Sequence, residues 1–103
     1  MPGDVWVVII DSAPDADDSR EMLELVLAGA TLEVGLAVVF RDAGLDLFDP
    51  KLFRPWRQLV DHELADLFGV GNGLEASWPT GVAPLSETSL KHLCSEAAGV
   101  LRL

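Results

Sequence analysis

The feature that most constrains the fold of this chain is an unbroken run of six apolar residues near its start, Val-Trp-Val-Val-Ile-Ile at positions 5–10. Residues with β-branched side chains favour strands, and a strand without polar alternation is typical of a sheet covered on both faces. Parallel sheets are covered in this way, because helices connect their strands and lie on both faces. The run therefore predicts a layered α/β domain.

Strand-like and helix-like segments alternate along the rest of the chain. Strands are predicted at residues 5–10, 33–40, 74–78 and 100–103, helices at residues 19–30, 52–68 and 86–98, and a short helical turn at residues 45–48. Asp18 and Ser86 are the predicted N-caps of the first and last helices. The alternation predicts one domain over residues 1–103, a three-layer α/β/α fold with a mainly parallel sheet of four or five strands and flavodoxin-like layering.

The chain is strongly acidic and rich in apolar residues. The chain has 103 residues, half of which are apolar. Its formal charge is −10, and it has only 7 lysines and arginines. The charge argues against direct binding to nucleic acid, which needs basic residues against phosphate, and against anionic membrane surfaces. So many apolar residues in so short a chain predict that some are buried against another chain, either a related subunit or a second copy.

Neither a targeting signal nor a membrane span is expected. The chain begins Met-Pro-Gly-Asp, without the basic residues that open a signal peptide, and no apolar run approaches the roughly 20 residues of a membrane span. A single cysteine excludes an intramolecular disulfide and a zinc site built on cysteines. We therefore expect a cytoplasmic protein that does not contact a membrane.

The loop after the first strand, residues 11–19, lies where α/β domains usually bind ligands, at the carboxyl end of a strand. It contains four aspartates and no glycine. A phosphate-binding loop needs close approach of the backbone and no competing negative charge. The position therefore predicts a site, while the chemistry argues against a nucleotide.

The thiol and the two imidazoles of the chain offer little chemistry. Cys94 lies on the apolar stripe of the last helix, where a thiol is expected to pack as a small hydrophobic group rather than to act as a nucleophile. His62 and His92 are not spaced as metal ligands on a helix and are expected at the surface. No metal, cofactor or catalytic residue is predicted.

Two aspartates, Asp11 and Asp42, end predicted strands at the presumed ligand edge, where a carboxylate can hold Mg²⁺ or accept a phosphoryl group. The first strand also looks like that of a response-regulator receiver domain. That family has a second acidic residue beside the first, where this chain has Ser12, and a lysine after the fifth strand. A degenerate receiver-like signalling domain remains one alternative.

A second resemblance rests on longer matches. Residues 12–14 form a Ser-Ala-Pro loop, Arg20-Glu21 opens the first helix, and the second strand runs into Arg-Asp-Ala-Gly-Leu-Asp-Leu-Phe at residues 41–48. These features resemble the DsrE/DsrF/TusC-like family, and most closely its DsrF/TusC branch, whose last strand is similar to residues 100–103. In that branch an Asp-Gly turn follows the second strand, and here Ala43 is inserted into it.

The resemblance implies a subunit of a sulfur-relay complex that serves sulfur oxidation or tRNA thiolation. In such complexes a DsrE/TusD-type subunit carries a persulfide on cysteine, and DsrF/TusC-type and DsrH/TusB-type subunits assemble with it. The family's cysteine would lie near the third strand, where this chain has Ser77, which cannot form a persulfide. The implied role is therefore assembly without catalysis, with DsrE/TusD-type and DsrH/TusB-type subunits or a second copy as partners.

Two groups of residues are the candidates for that role. The ligand or partner loop comprises Ser12, Pro14, Asp15, Arg20, Glu21 and Asp42, and the interface comprises Leu25, Val26 and Trp56. The acidic residues at positions 15–18 are expected to set the choice of partner by charge. A stand-alone homo-oligomer that binds a small molecule near Pro14 and Asp42 remains the other alternative.

Overall fold

The sheet and its helices follow the predicted α/β alternation. The computed structural model describes residues 5–12, 15–30, 35–71 and 78–103. The strands are β1 Val5–Ile10, β2 Gly35–Arg41, β3 Asp66–Val70, β4 Val82–Pro84 and β5 Gly99–Arg102. The helices are α1 Ala16–Ala30, α2 Pro50–Phe53, α3 Arg57–Asp61 and α4 Glu87–Glu96, with 3₁₀ segments at Asp42–Phe48 and Arg54–Trp56.

The five strands in the described part of the chain are all parallel, in the order β4-β3-β2-β1-β5. β1 lies between β2 and β5, so that Val8 is opposite both Val38 and Leu101. The chain adds β2, β3 and β4 in one direction and then returns across the sheet through α4 to place β5 on the far side of β1. The three-layer fold with a parallel sheet is therefore confirmed. Among the described helices none combines the length and apolar character that a membrane crossing requires.

The larger of the two buried clusters lies on the face of the sheet that is covered by α1 and residues 42–61. Phe40 of β2 is at its centre, fully buried, with ring centroids 5.1 Å from Phe48, 6.4 Å from Phe53 and 5.4 Å from Trp56. Aromatic pairs at these separations add to the free energy gained by burial. The short helices of this region are thus held on the sheet by one aromatic cluster.

Trp56 is a buried residue of this cluster, and its predicted place in an exposed interface is wrong. Its side chain is 0% exposed, and its Nε1–H donates a hydrogen bond of 3.0 Å to the hydroxyl of Ser19 on α1. Because the 3₁₀ segment lies against β2, the apolar spacing of Trp56 marks a core contact rather than an exposed face.

The opposite face of the sheet is covered by α4. Leu90 is buried there, and Leu93 and Cys94 pack against the buried cluster that contains Leu90, Val7 and Val39. The predicted stripe is therefore confirmed, with Cys94 half-buried. The predicted N-cap at Ser86 is confirmed, because its hydroxyl accepts a hydrogen bond of 3.0 Å from the backbone N–H of Ser89.

The chain between β2 and α4 departs most from the prediction. The helix predicted at residues 52–68 ends at Asp61, and Glu63 follows with a positive φ of 52°. Leu67 and Phe68 belong to β3 instead, because their apolar run satisfies a buried strand as well as a helix. β4 was not predicted, and the strand predicted at 74–78 falls mostly outside the described residues.

Two smaller corrections concern the ends of elements. α1 starts at Ala16 rather than at residue 19, and Asp15 is its cap in place of Asp18: its carboxylate accepts the backbone N–H of Asp18 at 2.8 Å. β2 ends at Arg41, one residue beyond its predicted end. Its predicted start, residues 33–34, lies outside the described residues.

Gly44 provides the first test of the packing, because it lies against the backbone at the end of β1. A Cβ at this position would overlap the carbonyl group of Ile10, which cannot move without disturbing the sheet. We expect Gly44→Ala to lower the free energy of unfolding by about 2 kcal/mol, measured by urea denaturation.

Gly29→Ala is the matched control. The added methyl would lie 3.6 Å from Leu36, an ordinary contact, and alanine favours a helix over glycine. The variant should therefore be as stable as the parent or more stable by up to about 1 kcal/mol. Equal losses in both variants would contradict the tight approach at Gly44.

The hydrogen bond between Trp56 and Ser19 is tested by a double-mutant cycle. Trp56→Phe and Ser19→Ala each leave a buried polar group without its partner, at a cost of about 1–3 kcal/mol. The double variant should lose less than the sum of the two. Additive losses in urea denaturation would mean that the two side chains do not interact.

Candidate functional site

The carboxyl edge of the sheet, between β1 and β5, is the position at which this topology would ordinarily bind a ligand. Open α/β sheets bind ligands where the strand order reverses. Here that point lies beside β1, since β2 follows on one side and β5 on the other. Asp11, directly after β1, and Arg102, at the end of β5, meet at this point.

An ion pair lies at this position. Nε of Arg102 lies 3.3 Å from Oδ2 of Asp11, whose side chain is 27% exposed. The carboxylate is therefore already engaged by a cation of the same chain. Among the described residues no group of three or more histidines, cysteines or carboxylates is arranged to hold a metal ion.

The N-terminus of α1 is also unsuited to an anion. The backbone N–H of Asp18 already donates a hydrogen bond to the carboxylate of Asp15. Asp17 and Asp18 add two further carboxylates in the first turn. These charges stabilise the positive end of the helix dipole and repel a phosphate from it. Ser12 is exposed beside this turn, and Pro14 lies outside the described residues.

The end of β2 carries a separate charge network. The guanidinium of Arg41 lies 3.4 Å from Asp42 and 3.6 Å from Glu87 at the start of α4. The two strand-end aspartates therefore have different arginine partners, Asp11 with Arg102 and Asp42 with Arg41. Neither arginine was predicted from the sequence as a partner of these aspartates, although Arg41 directly precedes Asp42 at a strand end and is a recognisable signal for that pair.

The thiol and the imidazoles remain apart from this edge. Cys94 is half-buried against the α4 face of the sheet. His92 is exposed with its Nε2 3.1 Å from Glu96, and His62 is exposed at the end of α3. This arrangement does not pair the thiol with a general base, so it gives no support to nucleophilic catalysis.

An apolar concavity on the described surface lies along the side of α1. We call it the α1–β5 groove, a concavity of about 280 Å³ between that helix and the edge strand. Its lining is apolar and includes Trp6, Val8, Leu25, Gly29, Leu101 and Leu103.

The groove follows from the topology of the sheet. α1 packs over β1 and β2, whereas β5 is reached by a crossover on the opposite face. No described helix therefore lies over β5 on the α1 side. As a result Trp6 is 42% exposed, Leu25 58% and Leu101 45%.

The predicted loop and interface residues fall into two sets. Asp15, Arg20 and Glu21 are exposed at the start of α1, and Leu25 is exposed beside the groove. Val26 is only 3% exposed and packs in the core. Its neighbour Leu25 is therefore available to a partner, whereas Val26 and Trp56 hold α1 on the sheet.

Leu25 and Val26 provide a matched test of this division. Leu25→Lys should change the free energy of unfolding by less than about 0.5 kcal/mol, because the side chain is largely in solvent. Val26→Ala should cost about 1–3 kcal/mol through the loss of buried methyl groups. Both are measured by urea denaturation, and a large loss in Leu25→Lys would mean that α1 packs with the other face inwards.

Comparison with known proteins adds no family assignment. No protein-family model matches the chain, and no curated protein matches it in sequence. The α1–β5 groove and the charged carboxyl edge are therefore the features of the described structure that bear on function.

Proposed function

We propose that this protein is a non-catalytic, DsrF/TusC-like subunit of a sulfur-relay assembly and binds a cysteine-bearing relative through the α1–β5 groove. The observation that carries the proposal is the groove itself: three large apolar side chains, Trp6, Leu25 and Leu101, lie about half exposed around one concavity. Contiguous apolar surface of this kind is typical of protein contacts.

A binding role is supported by the state of the polar groups at the carboxyl edge. The charged side chains at the ends of β1, β2 and β5 form ion pairs with residues of the same chain. Asp11 pairs with Arg102, and Arg41 pairs with both Asp42 and Glu87. Each of the two strand-end aspartates thus faces an arginine of the same chain. This pairing favours a binding role over a catalytic role for Asp11 and Asp42.

The charges beside the groove indicate what a partner should look like. Glu21 is one turn before Leu25 on the same ridge of α1, and Glu24 is also exposed. A partner should insert apolar side chains between α1 and β5 and place lysine or arginine against the acidic first half of α1. Charge at the rim of an interface governs partner choice and the rate of association.

The assignment to a sulfur relay is supported by the sequence resemblance. One of its segments has a local structural role: Asp42–Phe48 forms a 3₁₀ helix in which Leu47 and Phe48 are buried and Gly44 contacts the end of β1. The Arg20-Glu21 segment is exposed instead, so it is the part of the resemblance that a partner would meet.

Co-expression with a cysteine-bearing DsrE/TusD-type relative from the same genome tests the proposal. A stable complex is expected, and Leu25→Glu should weaken it at least about tenfold, since a charge would be buried at the centre of the contact. Affinity is measured by titration calorimetry. Leu64→Glu is the control, because Leu64 is exposed outside the groove and should leave affinity unchanged.

Three results would contradict the proposal. The first is the absence of any complex with such a relative. The second is a persulfide on Cys94, detected by mass spectrometry after incubation with a sulfur donor, which would mean that the protein carries sulfur itself. The third is Mg²⁺-dependent labelling of Asp11 or Asp42 by acetyl phosphate, which would indicate a receiver-like domain.

A further inference from the structure

β5 is an edge strand of the sheet formed by the described residues. It pairs with β1 and has no second neighbour in the described sheet. The backbone N–H and C=O groups on the outer side of such a strand are available to another strand, and proteins usually protect them with lysine, proline, a bulge or a covering segment. The two edges of this sheet differ in that protection.

Within the described residues, the β4 edge of the sheet is protected and the β5 edge is not. β4 has only three residues and ends in Pro84, which cannot donate a hydrogen bond to a further strand. β5 reads Gly-Val-Leu-Arg, and its one charged side chain, Arg102, is already engaged by Asp11. Charge on β5 therefore does little to prevent another strand from pairing with it.

Exposed apolar side chains flank β5 on both faces of the sheet. Val100 is 46% exposed on the α4 side, and Leu101 is 45% exposed on the α1 side. Trp6 extends over β5 from the neighbouring strand, because Gly99 lacks the Cβ that would overlap its ring. The open backbone edge is thus bordered by side chains that gain from being covered.

We propose that β5 pairs in antiparallel fashion with β5 of a second copy of this chain, with Leu101 opposite Leu101 about a two-fold axis. The two sheets would then form one continuous sheet of ten strands. This inference concerns the edge of the sheet and does not depend on the proposed sulfur-relay function.

The side-chain alternation of a strand restricts the register. Residues directly opposite each other in an antiparallel pair lie on the same face, so a two-fold axis must pass through a residue that pairs with itself. An axis at Leu101 joins it to its symmetry mate on the α1 side, where Trp6 of each copy extends the apolar strip. An axis at Val100 would instead pair the two Val100 side chains on the α4 side, so that the two Leu101 side chains would no longer lie opposite each other.

The acidic charge of the chain does not oppose this contact locally. The carboxylates of Asp15, Asp17 and Asp18 lie at the carboxyl end of the sheet. Antiparallel pairing places the carboxyl ends of the two copies on opposite sides of the axis. Arg102 would lie across from Val100 of the second copy, so like charges do not face each other on the paired strands.

The size of the contact indicates a weak, reversible dimer. Stable interfaces bury about 800 Å² on each partner. A four-residue strand edge with three half-exposed side chains supplies less than that. Dimerisation should therefore depend on concentration, with a Kd in the range of about 10–100 μM.

Disulfide cross-linking tests both the pairing and its register in the full chain, with Cys94→Ser as the background. Leu101→Cys should form a covalent dimer under mild oxidation, because opposite Cα atoms in an antiparallel pair lie about 5 Å apart, within the range for a disulfide. Val100→Cys is the control, since its symmetry mate would be displaced by two residues to roughly 8 Å. Circular dichroism checks that both variants are folded.

Analytical ultracentrifugation tests the association without a cross-link. The parent protein should shift from monomer to dimer between about 5 and 500 μM. Leu101→Lys should weaken dimerisation at least tenfold, as an edge lysine does, whereas Leu25→Glu and Leu64→Lys should dimerise like the parent. Loss of the sulfur-relay partner through Leu25→Glu would thus be separable from loss of the dimer.

The remaining outcomes overturn the inference. A parent protein that stays monomeric at 500 μM would exclude the pairing. Cross-linking of Val100→Cys in preference to Leu101→Cys would show a different register, and equal cross-linking of both would show random collision. A dimer that Leu101→Lys leaves intact would place the contact elsewhere on the surface.

Discussion

The hydrogen bond between Trp56 and Ser19 is the interaction on which the arrangement of the α1 face depends. It joins the short helices at residues 42–61 to α1 within an apolar cluster, where a polar group without a partner would be costly. Phe40 supports the indole from the sheet. With α1 fixed from this side, its other flank, at Leu25, is left facing β5.

The exposed surface beside β5 therefore has a topological origin. Three strands are added to one side of β1 and only one to the other, and the connection to that strand runs over the opposite face. The α1 face thus has helical cover over β1, β2 and β3 but not over β5. The same topology brings Asp11 and Arg102 together at the ordinary ligand position, while no described helix covers the apolar groove on the β5 side.

The sequence predicts the parts of this structure whose patterns are local. The unbroken apolar run of β1 and the cap at Ser86 each depend on neighbouring residues, and both are confirmed. The segment containing Leu67 and Phe68 was assigned to a helix, because a short apolar run satisfies either period and only pairing with β2 decides between them.

The candidate site was predictable only in part for a related reason. The exposure of Leu25 followed from an apolar helix in an acidic chain, yet the burial of Trp56 depends on Ser19, thirty-seven residues earlier in sequence. The α1–β5 groove depends on strand order, and the pair of Asp11 and Arg102 joins the ends of two strands that are distant in sequence. Such relations have no signature within a single segment.

The missing side chain of Gly99 has a spectroscopic consequence. Because it lets the indole of Trp6 lie over β5 at 42% exposure, that indole is in contact with water at the open edge of the sheet. Trp56 is fully buried and Trp78 is half-buried against Phe48, so their surroundings are set by the fold. Trp6 is thus the tryptophan whose emission should move to shorter wavelength when β5 is covered, and the protein contains its own fluorescent reporter for that event.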